Sequence, residues 1–205
     1  MSAKSNENLF TSFAVPYFIF LCGPSLIFAT SLKPHCILSL PTVGLRLIQP
    51  SDNPAIARII REVLTEFKAN KPGTVYYDPT TDDLFRLFSR THAQYWILEL
   101  YGKIVGGSGV YPTDGLPDGC CELVKLYLLP EARSRGYGKL LIERCISSAI
   151  ALGFRQLYLE TMPELKMAAG LYERCGFGYL NGPLGNTGHF GCDLWMLRDF
   201  YPISK

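Results

Sequence analysis

The sequence lacks a surplus of charge of either sign. Its 20 Lys and Arg residues against 18 Asp and Glu residues leave a formal net charge of +2 over 205 residues. A protein that attracts nucleic acid or an acidic membrane through its overall field needs a much larger surplus. The net charge therefore gives no reason to expect a nucleic-acid partner, and a functional cluster of positive charge must be local.

The sequence also lacks the motifs of a metal site. Its seven cysteines include no Cys-x-x-Cys pair, and its three histidines are not spaced as metal ligands. We therefore expect no metal. Several cysteines fall on faces otherwise built from Leu, Ile and Ala, where a reduced thiol acts as a small hydrophobic side chain. This usage indicates a reducing compartment and predicts a cytoplasmic protein.

Charge is absent from one long segment near the N-terminus. Residues 9–30 carry none, a length sufficient to cross a bilayer as a helix, although two prolines and a glycine interrupt it. The alternatives are a membrane anchor, a targeting segment, or upstream sequence outside the fold. We favour the last, because a complete domain pattern begins without it. The predicted organisation is an apolar extension over 1–43 and one domain over 44–205, with membrane contact and a membrane-anchored location only if the apolar segment is a real anchor.

The rest of the chain alternates strand and helix patterns. A half-buried strand over 44–49 precedes an amphipathic helix over 53–69, for which Ser51 or Asp52 is the candidate cap. A shorter helix is predicted over 81–89. The remaining elements are predicted as strands over 94–100, 103–111 and 121–128, a helix over 136–152, a strand over 156–161, a helix over 163–175, and strands near 178 and over 192–197. A mostly antiparallel front half joined to a β-α-β back half predicts an α/β fold in three layers, α/β/α, around a mixed, mostly antiparallel sheet.

The segment RSRGYGK, residues 133–139, lies between an apolar strand and an amphipathic helix. Gly136 and Gly138 let the backbone approach a ligand closely, and a helix that begins here presents free N–H groups and the positive end of its dipole to an anion. Two arginines and a lysine in the segment add positive charge. A Walker A loop and a dinucleotide fingerprint both need residues that this segment does not have. The pattern predicts a site for a diphosphate.

The segment resembles the R-x-x-G-x-G signature of the GNAT superfamily of acetyl-coenzyme A dependent N-acetyltransferases. The strand CELVKLYLL, the strand LYLET and the helix AGLYERCGF occur in the order and spacing that this family uses. The resemblance extends over about residues 44–200 and is specific over 121–177. It implies a GNAT-like fold with a splayed cofactor-binding strand, and acetyl-coenzyme A as co-substrate. The cofactor-binding residues that it implies are Leu126, Tyr127, Leu128, Arg133, Ser134, Arg135, Gly136, Tyr137, Gly138 and Lys139.

Two residues are candidates for catalysis. Tyr172 matches the tyrosine that family members place beside the cofactor sulfur as general acid, and a phenol with a pKa of about 10 suits the protonation of a departing thiolate. The alternative is a core tyrosine on an amphipathic helix. Glu122 stands eleven residues before Arg133, where some histone-acetylating relatives carry their general base. The alternative is a solvated or salt-bridged strand residue.

The weaker candidates for the acceptor groove are Tyr76, Tyr77, Glu99, Glu160 and His189. The tyrosines and Glu99 are named because of where family members bind substrate. An equally good alternative for Glu160 is an ion pair with Lys166 or Arg155. The alternative for His189 is an exposed position on a loop.

The resemblance implies transfer of an acetyl group to a primary amine of a small molecule or peptide. The alternative is a GNAT-like module that binds an acyl-coenzyme A without catalysis, as a sensor or interaction domain. A homodimer is possible, because look-alike domains often pair through their final strands. The sequence does not identify the acceptor.

Overall fold

The computed structural model describes residues 43–185, 187 and 191–201, all within one compact unit, Ser39–Lys205. The extension predicted over 1–43 lies outside these residues except for Val43, which begins the first strand. The helices and strands are β1 (Val43–Leu47), α1 (Asn53–Glu66), α2 (Leu84–Leu87), β2 (Gln94–Leu100), β3 (Lys103–Tyr111), β4 (Cys120–Leu128), α3 (Tyr137–Ala151), β5 (Gln156–Thr161), α4 (Lys166–Arg174), β6 (Gly178–Tyr179) and β7 (Leu194–Asp199).

The strands form a seven-stranded sheet in the order β1-β2-β3-β4-β5-β7-β6. Every neighbouring pair is antiparallel except β4 and β5, which run parallel. The connections agree with this arrangement, because a two-residue turn joins the antiparallel pair β2 and β3, whereas α3 crosses over between the parallel strands β4 and β5. The predicted order of elements and the mixed α/β fold are confirmed.

The helices cover both faces of the sheet. The apolar face of α1, with Ile56, Ile60 and Leu64 fully buried, packs on one side against Tyr95 and other residues of β2. On the opposite side, α3 and α4 pack against apolar residues of β4, β5 and β7. Apolar residues at helical spacing on one face and alternating residues along the strands together give the three predicted layers.

The helix predicted over 81–89 is shorter than expected. A 3-10 segment, Pro79–Asp83, precedes a single α-helical turn at α2. The reason is local capping, because the Asp78 carboxylate accepts a hydrogen bond from the N–H of Thr80, and Asp83 leaves helical geometry and accepts one from the N–H of Arg86. Two short turns therefore replace one continuous helix.

The expected cap of α1 is also different. The Asp52 side chain makes no capping bond to α1. It accepts hydrogen bonds from the Arg46 guanidinium at 2.7 and 2.9 Å and from the N–H of Gln49 at 2.7 Å. Arg46 also pairs with Glu99 at 2.7 Å. Asp52 therefore ties the start of α1 to β1 and β2 through an ion-pair network.

We expect Arg46→Gln to lower the free energy of unfolding by about 2 kcal/mol at neutral pH, because the buried Asp52 loses its main partner. The Arg46 guanidinium holds the pKa of Asp52 below its ordinary value of 3.8. The stabilisation is therefore complete above that value and is lost as the pH falls through the lowered pKa of the folded state. Urea unfolding at neutral pH and below pH 3.8 measures both effects.

The matched control is Arg61→Gln, which breaks an ion pair with Asp82, a side chain that is 64% exposed. An exposed pair of this kind contributes less than about 1 kcal/mol. Equal losses in the two variants would contradict the role of Asp52.

Candidate active site

Strands β4 and β5 separate part-way along their length. In the described chain, their parallel pairing covers only Cys120, Cys121 and Glu122 on β4. Beyond Glu122, β4 continues beside β3 as far as Leu128 while β5 pairs with β7. The predicted splay is therefore present, and it opens a wedge in the sheet in front of α3.

A cavity of about 440 Å³ lies at this wedge, between β4, the start of α3 and one face of α4. We call it the cofactor cavity. Most of the predicted cofactor-binding residues line it, namely Leu126, Tyr127, Leu128, Arg133, Ser134, Gly136, Gly138 and Lys139. Two do not: Arg135 is exposed to solvent, and the Tyr137 ring packs against the apolar cluster around Leu98 and Leu141.

The start of α3 has the geometry of an anion site. Gly136 adopts φ +84°, a left-handed conformation that turns the chain into the helix. The first helical hydrogen bond runs from the N–H of Leu140 to the carbonyl of Gly136 at 3.0 Å, so the N–H groups of residues 137–139 precede it and have no helical partner. A Cβ atom at Gly138 would lie 2.8 Å from a Leu171 methyl group. The glycine therefore lets the start of α3 pack closely against α4 at the cavity wall, and the residues present fit a diphosphate.

Arg133 lines the cofactor cavity but is also engaged by a carboxylate outside it. Its guanidinium makes a bidentate ion pair with Glu66 of α1 at 2.6 and 2.7 Å, and its Nε donates to the carbonyl of Leu128 at 2.8 Å. It also lies over the ring of Phe67. Because Glu66 offsets its charge, Arg133 fixes the loop between β4 and α3 more than it adds a free positive charge.

The positive charge at this end of the cofactor cavity comes from other side chains. Lys139 and Arg174 line the cofactor cavity and also an adjoining cavity of about 310 Å³, which Arg198 and Glu143 line as well, and Lys139 forms an exposed ion pair with Glu143 at 3.5 Å. Arg174 and Arg198 escaped the sequence analysis, because their role depends on α4 and β7 lying beside α3. Basic side chains and free N–H groups therefore meet at the same place.

A small cavity of about 60 Å³ lies between β4, β5 and α4, and we call it the junction. Glu122 and Tyr172, the two predicted catalytic residues, both line it. The junction shares Tyr172 with the cofactor cavity and Glu122 with a third cavity, described below. The fold thus brings the two side chains, which lie far apart in the sequence, to the walls of one volume.

Tyr172 is 7% exposed, and its ring packs edge-on against Phe177. In the described part of the chain, no residue accepts a hydrogen bond from its hydroxyl. Burial raises the pKa of Tyr172 well above its ordinary value. The side chain therefore stays a neutral phenol at physiological pH, which is the form that can donate a proton.

Glu122 is 4% exposed and stands at the point where β4 parts from β5. Its Oε2 accepts a hydrogen bond from the hydroxyl of Thr113 at 2.5 Å. Thr113 lies beyond the end of β3 and was not predicted from the sequence. A carboxylate that is oriented in this way faces both the junction and the third cavity.

The third cavity has a volume of about 410 Å³, and we call it the acceptor cavity. Tyr77, one of the predicted groove residues, lines it and is 60% exposed. Asp78, Lys125 and several hydroxyl side chains line it too, and none of them was predicted from the sequence. Its described lining residues are Gly73, Thr74, Tyr77, Asp78, Pro79, Thr80, Leu87, Tyr111, Thr113, Glu122, Val124, Lys125 and Thr187.

A β-bulge in β4 brings Lys125 into the acceptor cavity. Cys121 and Leu123 pack toward α3 and α4, and regular alternation would send Lys125 the same way. Instead, Lys125 and Leu126 together oppose the single residue Ser108, and Lys125 adopts φ +51°. The bulge turns the Lys125 side chain to the opposite face of the sheet. Burial lowers the pKa of Lys125, and the ion pair with Asp78 counteracts this effect.

The remaining groove candidates have different positions. Glu160 lines the junction and accepts hydrogen bonds from the hydroxyls of Tyr158 at 2.7 Å and Thr187 at 2.8 Å. Tyr76 packs against the core beneath α1. Glu99 is not brought to the site, since it pairs with Arg46 near the turn between β2 and β3. His189 lies outside the described residues.

The sequence matches the acetyltransferase (GNAT) family over residues 57–177, more than half of the chain. The chain belongs to the GNAT family. It is 42% identical over 157 residues to YjgM, an uncharacterized N-acetyltransferase of Escherichia coli K12, an alignment that covers 76% of this chain and 93% of that protein. The family membership and the enzyme class predicted from the sequence, a GNAT-type N-acetyltransferase, are confirmed.

Solved structures support the GNAT fold. A GNAT-family acetyltransferase of Staphylococcus aureus superposes with a TM-score of 0.68 at 18% identity, covering 78% of this chain and all of that one. The PaiA N-acetyltransferase of Thermoplasma acidophilum, in complex with coenzyme A, superposes with a TM-score of 0.62 at 15% identity, covering 78% of this chain and 99% of that one. Among the described residues of this GNAT protein, no helix is both long and apolar enough to span a membrane.

Proposed function

We propose that the protein transfers the acetyl group of acetyl-coenzyme A to a primary amine of a small molecule or peptide. The observation that carries this proposal is the junction, because Glu122 and Tyr172 both line it. One of them also lines the acceptor cavity and the other the cofactor cavity. A base and an acid that face one volume from its two sides are what direct transfer between two bound substrates requires.

The cofactor cavity is suited to acetyl-coenzyme A, which supplies a reactive thioester when it is bound. The N–H groups of residues 137–139 hold the diphosphate, and the backbone of residues 126–128, which β5 does not pair with, holds the pantetheine arm. The PaiA protein, which has the same fold, was solved with coenzyme A. This supports the assignment of the cavity.

The proton transfers follow from the two side chains. Glu122 takes a proton from the ammonium group of the acceptor, and the freed nitrogen forms a C–N bond with the acetyl carbon as the C–S bond breaks. An N–H group on the splayed part of β4 stabilises the charge on the carbonyl oxygen. Tyr172 gives its proton to the departing thiolate, while the second proton that the nitrogen loses as the amide forms passes to solvent. Glu122 then releases its proton to solvent and Tyr172 regains one, so that one proton is released per turnover. The products are an amide and free coenzyme A.

A covalent route through a cysteine is not supported. Cys192 lines the junction, but burial raises the pKa of its thiol to about 12. The neutral thiol that prevails at physiological pH is a poor nucleophile. The proposed transfer is accordingly direct, without an acetyl-enzyme.

The test combines calorimetry with acetyl-coenzyme A and detection of thiol release against a panel of primary amines. We expect binding, and thiol release with at least one class of amine. Gly138→Val is the matched variant, because its Cβ would collide with the Leu171 methyl group and its side chain would crowd the cofactor cavity that both residues line. We expect it to weaken acetyl-coenzyme A binding at least about 10-fold, which corresponds to about 1.4 kcal/mol.

The two possible failures have different meanings. Absence of binding by the folded protein would remove the proposal entirely. Binding without thiol release from any amine would favour a non-catalytic acyl-coenzyme A binding module instead.

A further inference from the structure

The wall of the acceptor cavity includes a buried lysine ammonium, Lys125, that already forms an ion pair. The Lys125 side chain is 4% exposed, and its Nζ donates to Oδ2 of Asp78 at 2.7 Å and to the hydroxyl of Thr81 at 3.4 Å. The bulge in β4 fixes this position, since it turns the side chain toward Asp78. Lys125 therefore has little freedom to follow a ligand.

Asp78 is held just as firmly. Its carboxylate accepts hydrogen bonds from the N–H of Thr80 at 2.9 Å and from the hydroxyl of Thr80 at 2.7 and 2.8 Å. The carboxylate thus sits at the start of the 3-10 segment in a position set by the backbone. Because it neutralises Lys125 at close range, the pair offers little net charge to a ligand.

The charged side chains among the described residues of the cavity wall are then two carboxylates, Asp78 and Glu122, and one ammonium, Lys125. An acceptor ammonium finds a favourable field here. A carboxylate on the acceptor would lie close to two fixed carboxylates and would meet a cation that is already paired. Like charges in a partly desolvated cavity repel strongly, and a buried carboxylate without a partner is costly.

We propose that the acceptor cavity selects amines that carry no carboxylate next to the amino group and rejects α-amino acids. The ion pair between Asp78 and Lys125 determines this selectivity. The inference rests on the proposed acetyl transfer and names the acceptor class for it. Asp78 acts through Lys125, so it determines specificity and is not a catalytic residue.

The first test compares amines with the amino acids that differ from them by one carboxylate. The pairs are tyramine and tyrosine, agmatine and arginine, and histamine and histidine. For the amines that are acetylated, we expect kcat/KM to exceed that of the amino acid at least about 10-fold. The corresponding amino-acid amides are the control for size, and they should resemble the amines.

The second test is Asp78→Asn, which keeps the shape of the side chain and frees the charge of Lys125. We expect the ratio of kcat/KM between amine and amino acid to fall at least about 10-fold, because the ammonium can then pair with the carboxylate of the amino acid. Lys125→Met should move the ratio in the opposite direction. Asp82→Asn is the matched control, because Asp82 lies in the same 3-10 segment but pairs with Arg61 and does not line the cavity.

Thermal melts establish that each variant is folded. The inference is overturned if the wild-type protein uses amino acids as well as amines, or if folded Asp78→Asn and Lys125→Met both leave the ratio unchanged. Those results would leave the proposed acetyl transfer intact. If acetyl-coenzyme A binds and no amine releases thiol, the proposed function itself fails, and this inference fails with it.

Discussion

Replacing Tyr172 with Phe is expected to lower kcat about 100-fold, the usual contribution of a positioned general acid. The variant keeps the buried ring and its edge-on contact with Phe177, and removes only the hydroxyl of a side chain that lines the junction and the cofactor cavity. The affinity for acetyl-coenzyme A should therefore stay within about twofold, since the N–H groups at the start of α3 are untouched. Steady-state kinetics together with calorimetry separate these two effects.

The pH dependence of the wild-type protein provides a second check. Burial raises the pKa of Tyr172, so the phenol keeps its proton through the whole range in which an ordinary tyrosine begins to ionise. Loss of kcat at alkaline pH from this residue should accordingly appear only well above pH 10. A decrease in kcat that begins near pH 8 must come from the ionisation of another group.

Tyr179→Phe is the matched control for the hydroxyl deletion. Tyr179 is 54% exposed on β6, and its hydroxyl donates to Glu173 at 2.6 Å, away from the described cavities. We expect this variant to retain full activity. If Tyr172→Phe also turned over at the wild-type rate while remaining folded, Tyr172 would be a core residue only.

The cofactor half of the site could be predicted because its signals are local. The strand, the glycine loop and the first turn of α3 are continuous in the sequence, and the free N–H groups of a helix start follow from helix geometry alone. Gly138 is the small residue that the motif needs, although its contact with Leu171 of α4 is set by the fold. The splay of β4, which depends on β5 pairing with β7, was implied by the family resemblance.

The acceptor half could not be predicted in the same way, because it depends on contacts between distant segments. Lys125 looks like any strand residue in CELVKLYLL, and only the bulge opposite Ser108 sends it to the other face of the sheet. Its partner Asp78 lies 47 residues earlier. Likewise, the Glu66 carboxylate that engages Arg133 is 67 residues from it. No local pattern encodes such pairings.

Glu99 shows how a residue chosen by family resemblance can lie outside the site. It was named because of where family members bind substrate, and its strand β2 is separated from β4 only by β3. The register, however, pairs Glu99 with Ile104 and Glu122 with Tyr111. At about 3.3 Å per strand residue, these positions lie roughly 23 Å apart along β3. Glu99 therefore lies next to the turn between β2 and β3, at the opposite end of β3 from Glu122.

Replacing Glu122 with Gln is expected to lower kcat/KM for the amine at least about 100-fold at neutral pH, because the acceptor ammonium loses the group that takes its proton. The amide is nearly the same size and can still accept the hydrogen bond from Thr113, so the junction keeps its shape. Activity of the variant should rise with pH as the free amine becomes abundant in solution, and should approach the wild-type value most closely at alkaline pH. A plot of log kcat/KM against pH for both proteins measures this.

The Glu160→Gln variant tests whether Glu160, rather than Glu122, is the general base. Both carboxylates line the junction, but Glu122 also lines the acceptor cavity, whereas Glu160 does not and accepts hydrogen bonds from Tyr158 and Thr187. Its replacement should change KM for the amine more than the pH profile, whereas Glu122→Gln changes the profile itself. If Glu160→Gln produced the alkaline shift and Glu122→Gln did not, the base would be Glu160, and the acceptor would approach the thioester from the β5 side of the junction.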